Sequence, residues 1–107
     1  MLKQADFIAE LQYKTTEQGG RKTPAFSGYR PGVKFAFSEM QTSGQQIFIG
    51  KDRVYPGDKV TAEIAILATA YFAGLLELGM PFDFREGSTI MGTGVILEIL
   101  NPILKKR

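Results

Sequence analysis

The chain reads as an all-β domain, either a barrel or a sandwich. Three observations predict it. Apolar and polar residues alternate with period two along several short stretches. Clusters drawn from 12 glycines and 5 prolines separate those stretches. No stretch sustains a helical period between helix start and stop signals. At 107 residues the chain suits one domain, 1–107, and a domain of this size buries roughly 60–70% of its unfolded surface without staples.

The elements follow in order. Phe7, Ala9, Leu11 and Tyr13 alternate with Ile8, Glu10, Gln12 and Lys14, the pattern of a strand with one face inward. Thr15 to Gly20 turns the chain. Val33 to Phe37 alternates again, with β-forming residues at Val33, Phe35 and Phe37. Gln41-Thr42-Ser43-Gly44 carries turn residues, and Gln46 to Ile49 is a short strand that Gly50 interrupts. Tyr55-Pro56-Gly57-Asp58 suits a type II turn, with Pro at the second position, Gly at the third and Asp58 as a turn acceptor. Lys59 to Leu67 is the clearest strand, with Val60, Ala62, Ile64 and Ile66 on one face. Ala68 to Gly79 is read as a long apolar loop with room for a helical turn, because Gly74 costs about 1 kcal/mol inside a helix. Phe82 to Glu86 is a strand, Gly87-Ser88 a turn, and Thr89 to Leu100 a long final strand that Asn101-Pro102 ends. Gly92 and Gly94 share one face of it, where a ring or a backbone can approach closely or the strand can bend.

Composition removes several function classes. The chain has no Cys and no His, so it has no disulfide frame, no thiolate metal site and no imidazole base or ligand. Net charge is only +2, which does not mark a nucleic-acid binder by itself. The charge is uneven, with basic residues in the glycine-rich loop and at Lys105-Lys106-Arg107. Met1 to Asp6 has no apolar leader pattern, and the run from Ile64 to Met80 is too short and interrupted for a helical span. A soluble cytoplasmic protein is expected.

Two motifs fail on inspection. Gly44 to Lys51 has the outline of a phosphate loop, but its glycines are too far apart and Asp52 stands where Mg²⁺ binding needs Ser or Thr. It lies between strands, with no helix following to meet phosphate. Gly92-Thr93-Gly94 lacks the third glycine of a dinucleotide fingerprint. No nucleotide site and no cofactor are therefore expected. Among Asp52, Asp58, Glu63, Glu77, Asp83, Glu86 and Glu98, spacing marks out no catalytic pair. No catalytic residue and no metal ligand set is assigned.

The stretch Gly19-Gly20-Arg21-Lys22-Thr23-Pro24-Ala25-Phe26-Ser27-Gly28-Tyr29-Arg30-Pro31 reads as an ordered loop that is neither helix nor strand. Pro24 and Pro31 interrupt ladders, Phe26 and Tyr29 are large enough to need burial, and Arg21, Lys22 and Arg30 supply cations. With Val54-Tyr55-Pro56-Gly57-Asp58-Lys59-Val60 and Phe82-Asp83-Phe84-Arg85-Glu86-Gly87-Ser88-Thr89-Ile90-Met91-Gly92-Thr93-Gly94-Val95-Ile96, it makes three blocks in register. Together they resemble the C-terminal β-barrel, domain III, of bacterial elongation factor Tu. The resemblance runs from about Phe7 to Leu100.

The resemblance implies a six-stranded antiparallel closed barrel with one apolar loop insertion, standing without the GTPase and middle domains. In that family one face of domain III contacts the T-stem backbone of aminoacyl-tRNA and another packs on the GTPase domain. Arg21, Lys22 and Glu86 inherit the tRNA positions, with Lys22 where the family usually has His. Lys34 and Arg85 extend that face, and Lys105, Lys106 and Arg107 are candidates to add to it. Three departures stand out. Gly32-Val33 are added after Arg30-Pro31, Pro81 replaces a family Arg, and the segment before Gly79 is longer and more apolar than the family's.

Two readings of function follow. The first is a non-catalytic protein-interaction module, related to translation, whose partner is another protein or a second copy. Its contact residues are Tyr71, Phe72, Leu75 and Leu76 if the apolar insertion is exposed; the alternative is that the insertion folds over the barrel end and becomes core. The second is a weak binder of tRNA or other RNA backbone through Arg21, Lys22, Lys34, Arg85 and Glu86. An enzyme ranks third, since fold likeness grants no chemistry.

Overall fold

Alternation along the strands places one face of each inward, and six of them close on themselves. The computed structural model describes residues 4–107. Met1 to Lys3, part of the stretch read above as lacking a leader, lie outside the described residues. The strands are β1 (Phe7–Tyr13), β2 (Ala25–Phe26), β3 (Gly32–Phe35), β4 (Gln41–Phe48), β5 (Arg53–Val54), β6 (Lys59–Ile66), β7 (Pro81–Glu86) and β8 (Thr89–Ile99). The closed antiparallel barrel runs β1-β6-β4-β3-β7-β8, with β8 returning to β1. This is the expected six-stranded barrel. Closure leaves none of these six strands with an open edge.

The interior is the set of residues that period two selects. Phe7, Ala9, Leu11 and Tyr13 of β1 are buried, as are Val60, Ala62, Ile64 and Ile66 of β6. Aromatic rings form a column along the barrel. Tyr13 meets Phe84 at 4.9 Å between centroids, Phe7 meets Phe82 edge-on at 5.7 Å, and Phe35 meets Phe72 at 5.1 Å. The rings from β7 fit because β8 carries glycines opposite them. A Cβ on Gly94 would lie 2.7 Å from Phe82 Cε2, and one on Gly92 would lie 2.9 Å from Phe84 Cε1 and 2.5 Å from the Gln12 carbonyl oxygen. Both expectations for this glycine pair, a close ring and a close backbone, are met.

Several boundaries differ from the sequence reading. Gln41 to Gly44, read as a turn, is the first half of β4. Thr42 and Gly44 face inward there, and Gly44 is small because a Cβ would sit 2.5 Å from Val33 Cγ2. The glycine marks close packing between strands, not a turn. β3 ends at Phe35, two residues early, where Ser38 N–H bonds the Phe35 carbonyl and turns the chain. The Gly19 to Pro31 loop contains β2, paired antiparallel with β5 in a small separate sheet. That loop therefore includes a short strand. Phe26 is 55% exposed, with Arg53 over its ring at 5.2 Å, so the expected burial of Phe26 is also corrected. The Asp58 turn forms as read: Tyr55 N–H donates to Asp58 Oδ2 at 3.1 Å, and Gly57 has φ +90°.

One end of the barrel is closed by a lid. The insertion forms a 3₁₀ turn over Thr69–Phe72, and a second 3₁₀ turn covers Pro102–Leu104. Gly74 N–H bonds the Ile103 carbonyl, Leu76 N–H the Leu104 carbonyl, and Lys106 N–H the Leu76 carbonyl, each at 2.8 Å. Phe72, Leu76 and Leu104 are fully buried beneath these bonds. At the same end Asp6 accepts from Ile66 N–H at 2.8 Å and from Asn101 Nδ2 at 2.9 Å, while its carbonyl accepts from Leu100 and Asn101. This ties the start of β1 to the end of β8.

Candidate interaction surfaces

Of the basic residues singled out in the sequence, Arg21 and Lys22 sit at the β7–β8 hairpin end and Lys34 and Arg85 on the outer face of β3 and β7, while Arg30 lies beside β4 and β6. Gly20 and Arg21 follow β1, while Glu86 ends β7, so the loop and the hairpin meet at a shallow open cleft. Gly20, Arg21, Lys22, Thr23, Glu86 and Met91 line it, enclosing about 360 Å³. Period two aims Asp83 and Arg85 outward between the inward rings of Phe82 and Phe84. Register pairs Lys34 with Asp83 and Gly32 with Arg85. The structure thus brings Arg21, Lys22 and Glu86 together, with Lys34 and Arg85 beside them on the barrel wall.

The two arginines are already engaged within the chain. Arg21 forms an ion pair with Glu86, and its remaining N–H groups donate to the Thr23 carbonyl at 3.2 Å, Thr23 Oγ1 at 3.2 Å and the Pro24 carbonyl at 3.3 Å. Its guanidinium also lies 4.7 Å from the centre of the Tyr29 ring, and its side chain is 20% exposed. Burial opposes the Arg21 charge, but hydrogen bonds with Tyr29 and Glu86 outweigh it and raise the pKa. Arg85 forks onto Asp83, with Nε to Oδ1 at 2.7 Å and Nη2 to Oδ2 at 3.0 Å. Such bidentate pairs leave little of the guanidinium free for phosphate. Lys22 is exposed, Lys34 is half-buried, and among the described residues neither forms an ion pair.

Beneath this cleft, polar groups run into the core. Tyr29 donates to Glu86 Oε2 at 2.6 Å. Burial, then the Glu86 hydrogen bond, pushes the Tyr29 hydroxyl well above its ordinary pKa. Tyr13 lies next to it at 6.4 Å between ring centres and donates to Gln46 Oε1. Burial, then the neighbouring Tyr29, pushes Tyr13 up as well. Gln46 is wholly buried, and its Nε2 has no hydrogen-bond partner among the described residues.

The apolar insertion divides into two halves. Phe72 and Leu76, read as contact residues if the insertion is exposed and as core if it folds over the barrel end, are core residues of the lid, because the barrel mouth offers them a dry site between β3 and the second 3₁₀ turn. They cannot reach a partner from there. Tyr71 is 57% exposed and Leu75 41% exposed. The structure adds two residues that sequence reasoning missed, Leu78 at 62% and Ile103 at 60% exposure. Ile103 joins the patch only because Gly74 and Ile103 are hydrogen-bonded across the two segments. No local signal in the sequence indicates that pairing.

Lys105, Lys106 and Arg107 also belong to the lid end. The 11 residues of β8 separate them from the Glu86–Thr89 turn, roughly 30 Å at the usual strand rise. They do not extend the Arg21 face. The exposed pair Phe26 and Arg53 forms a third surface on the small sheet, but Asp52 faces Arg53 at 3.5 Å and offsets its charge.

Among the described residues, no three carboxylates gather into a metal-binding group, and no helix is long and apolar enough to cross a membrane. Gly44 to Phe48 lie in β4, and the chain bends over 49–51 into β5 with no helix between them. The family model of the elongation factor Tu C-terminal domain matches residues 1–100. With that match over nearly the whole chain, and a closed six-stranded barrel in the structure, this protein belongs to the elongation factor Tu C-terminal domain family.

Proposed function

We propose that this barrel is a non-catalytic protein-interaction module of the translation-factor family, acting in the cytoplasm through its lid end. The observation that carries this reading is the division of the insertion. Phe72 and Leu76 anchor it, so Tyr71 and Leu75 stand exposed on a segment already ordered by backbone hydrogen bonds. An apolar patch presented without mobile backbone loses little entropy on binding, and aromatic and aliphatic side chains of this kind dominate interface energies.

Weak binding of tRNA or another RNA backbone is the second reading. Lys22 and Lys34 favour it, as cations free of ion pairs among the described residues. It ranks lower because Arg21 and Arg85 are held by Glu86 and Asp83, which leaves few charges to displace counterions.

Photo-crosslinking separates the two. A benzophenone amino acid at position 71 is expected to give protein adducts in cells, and one at position 22 is expected to give none. RNA adducts at position 22, with no protein adducts at position 71, would replace the first reading by the second.

A further inference from the structure

We infer that the lid end receives an acidic amphipathic segment of another protein, with apolar side chains on the Tyr71–Leu75–Ile103 patch and carboxylates on the adjoining basic rim. This rests on the protein-interaction reading above and specifies its partner. The patch and the rim are built from the same two segments. Leu76 pairs with Lys105 in a parallel bridge, so the residues before Leu76 run beside Ile103 and Leu104, and the cations after Lys105 continue from that patch beside Glu77 and Leu78. Lys105, Lys106 and Arg107 are all exposed.

The charges here are poorly compensated from within. Lys106 reaches Glu77 at a long 3.9 Å, with both side chains more than half exposed, a pair worth little in water. Lys105 and Arg107 form no ion pair among the described residues. Three cations beside an apolar patch attract a surface carrying carboxylates and repel one carrying cations. A second copy joined through the same face would set two such basic rims against each other, so charge argues against a symmetric dimer here. The Phe26–Arg53 surface carries no comparable preference, since Asp52 balances it.

The test uses the full chain and two synthetic helical peptides with identical leucine spacing. One carries glutamates on its polar face and the other glutamines. Fluorescence anisotropy is expected to show the glutamate peptide binding about tenfold more tightly at low salt, with the advantage shrinking as screening rises. Lys105→Glu with Lys106→Glu is expected to remove that advantage. Leu75→Ser with Ile103→Ser is expected to abolish binding of both peptides. All four positions are exposed, and circular dichroism confirms that each variant remains folded.

Equal affinity for the two peptides, or no response to the charge reversal, overturns the acidic partner and leaves the protein-interaction reading in place. Undiminished binding by the Leu75→Ser, Ile103→Ser variant removes the lid end as the site and overturns both. Binding to phosphatidylserine vesicles with no peptide binding assigns the surface to lipid and overturns the inference. So does a dimer in sedimentation that the peptides cannot dissociate.

Discussion

Tyr29 donates its hydroxyl to the same Glu86 oxygen that holds Arg21, at 2.6 Å. One carboxylate therefore joins the glycine-rich loop to the β7–β8 hairpin, and the Arg21 guanidinium serves architecture. Lys22, next in sequence, has no such role. Arg21→Ala is expected to lower stability by about 1–2 kcal/mol, a charged hydrogen-bond loss discounted for partial exposure. It should change the salt dependence of any tRNA binding little. Lys22→Ala should leave stability within about 0.5 kcal/mol, and under the RNA-binding reading it reduces the salt slope by about one. Urea denaturation and filter binding at two salt concentrations check the pair. A larger slope change for Arg21→Ala than for Lys22→Ala would show that Arg21 leaves Glu86 to meet phosphate.

The two inner tyrosines make stability depend on alkaline pH. Tyr13 and Tyr29 both hold their protons above the ordinary value of 10.0 in the folded chain. A raised tyrosine pKa means that the unfolded chain loses protons first as pH rises. Stability is then fully present below about pH 10 and declines above it. Denaturation midpoints are expected to be flat in this respect up to about pH 9 and to fall beyond pH 10. The fall should be smaller in Tyr29→Phe. An unchanged slope in that variant would assign the decline to other groups.

Tyr13 and Gln46 form an isolated polar pair inside an apolar barrel, with one amide group left over. Either single change, Tyr13→Phe or Gln46→Leu, strands the partner and is expected to destabilise by about 1–3 kcal/mol. The double variant removes both polar groups and the unpartnered amide, so it should be at least about 1 kcal/mol more stable than the sum of the single effects predicts. A double-mutant cycle measures this directly. Strict additivity would mean that the pair does not interact.

Gly92 and Gly94 should differ although they share a face. An alanine methyl at Gly94 first meets the Phe82 ring, while one at Gly92 meets the Phe84 ring and the Gln12 backbone oxygen. Each alanine variant is expected to lose about 1–3 kcal/mol through overpacking. Phe82→Leu should recover part of the loss in Gly94→Ala. Phe84→Leu should recover less in Gly92→Ala, because the Gln12 carbonyl belongs to the β1 ladder and cannot move aside. Equal rescue would show that the ring alone sets the limit.

Phe72 and Tyr71 are neighbours with opposite expected roles. Phe72→Ala empties a site under the lid and should cost about 3–5 kcal/mol. Tyr71→Ser exchanges an exposed ring and should stay within about 1 kcal/mol, as surface changes do. Thermal unfolding of the two variants distinguishes them. A large loss in Tyr71→Ser would mean that its ring is needed to seat Phe72, which it meets at 4.9 Å.

The strands and their inward faces were legible because a side-chain period of two is a local property. Phe7 to Tyr13 and Val60 to Ile66 need no knowledge of their partners to reveal which residues go inside. The three blocks around Arg21, Gly57 and Glu86 carried the family in the same local way. Tertiary structure alone decided which glycines mark turns and which mark contacts, since Gly44 is small for the sake of Val33 on another strand. It alone decided that Arg21 answers to Glu86, 65 residues away, and that Arg85 answers to Asp83. The latter pair had a faint signal, opposite charges two apart on one strand face. It also split Tyr71 and Leu75 from Phe72 and Leu76, and supplied Ile103 to the exposed half. A run of apolar residues states that burial is available. Only the shape of the barrel mouth, with room for two of those side chains and not four, determines which of them obtain it.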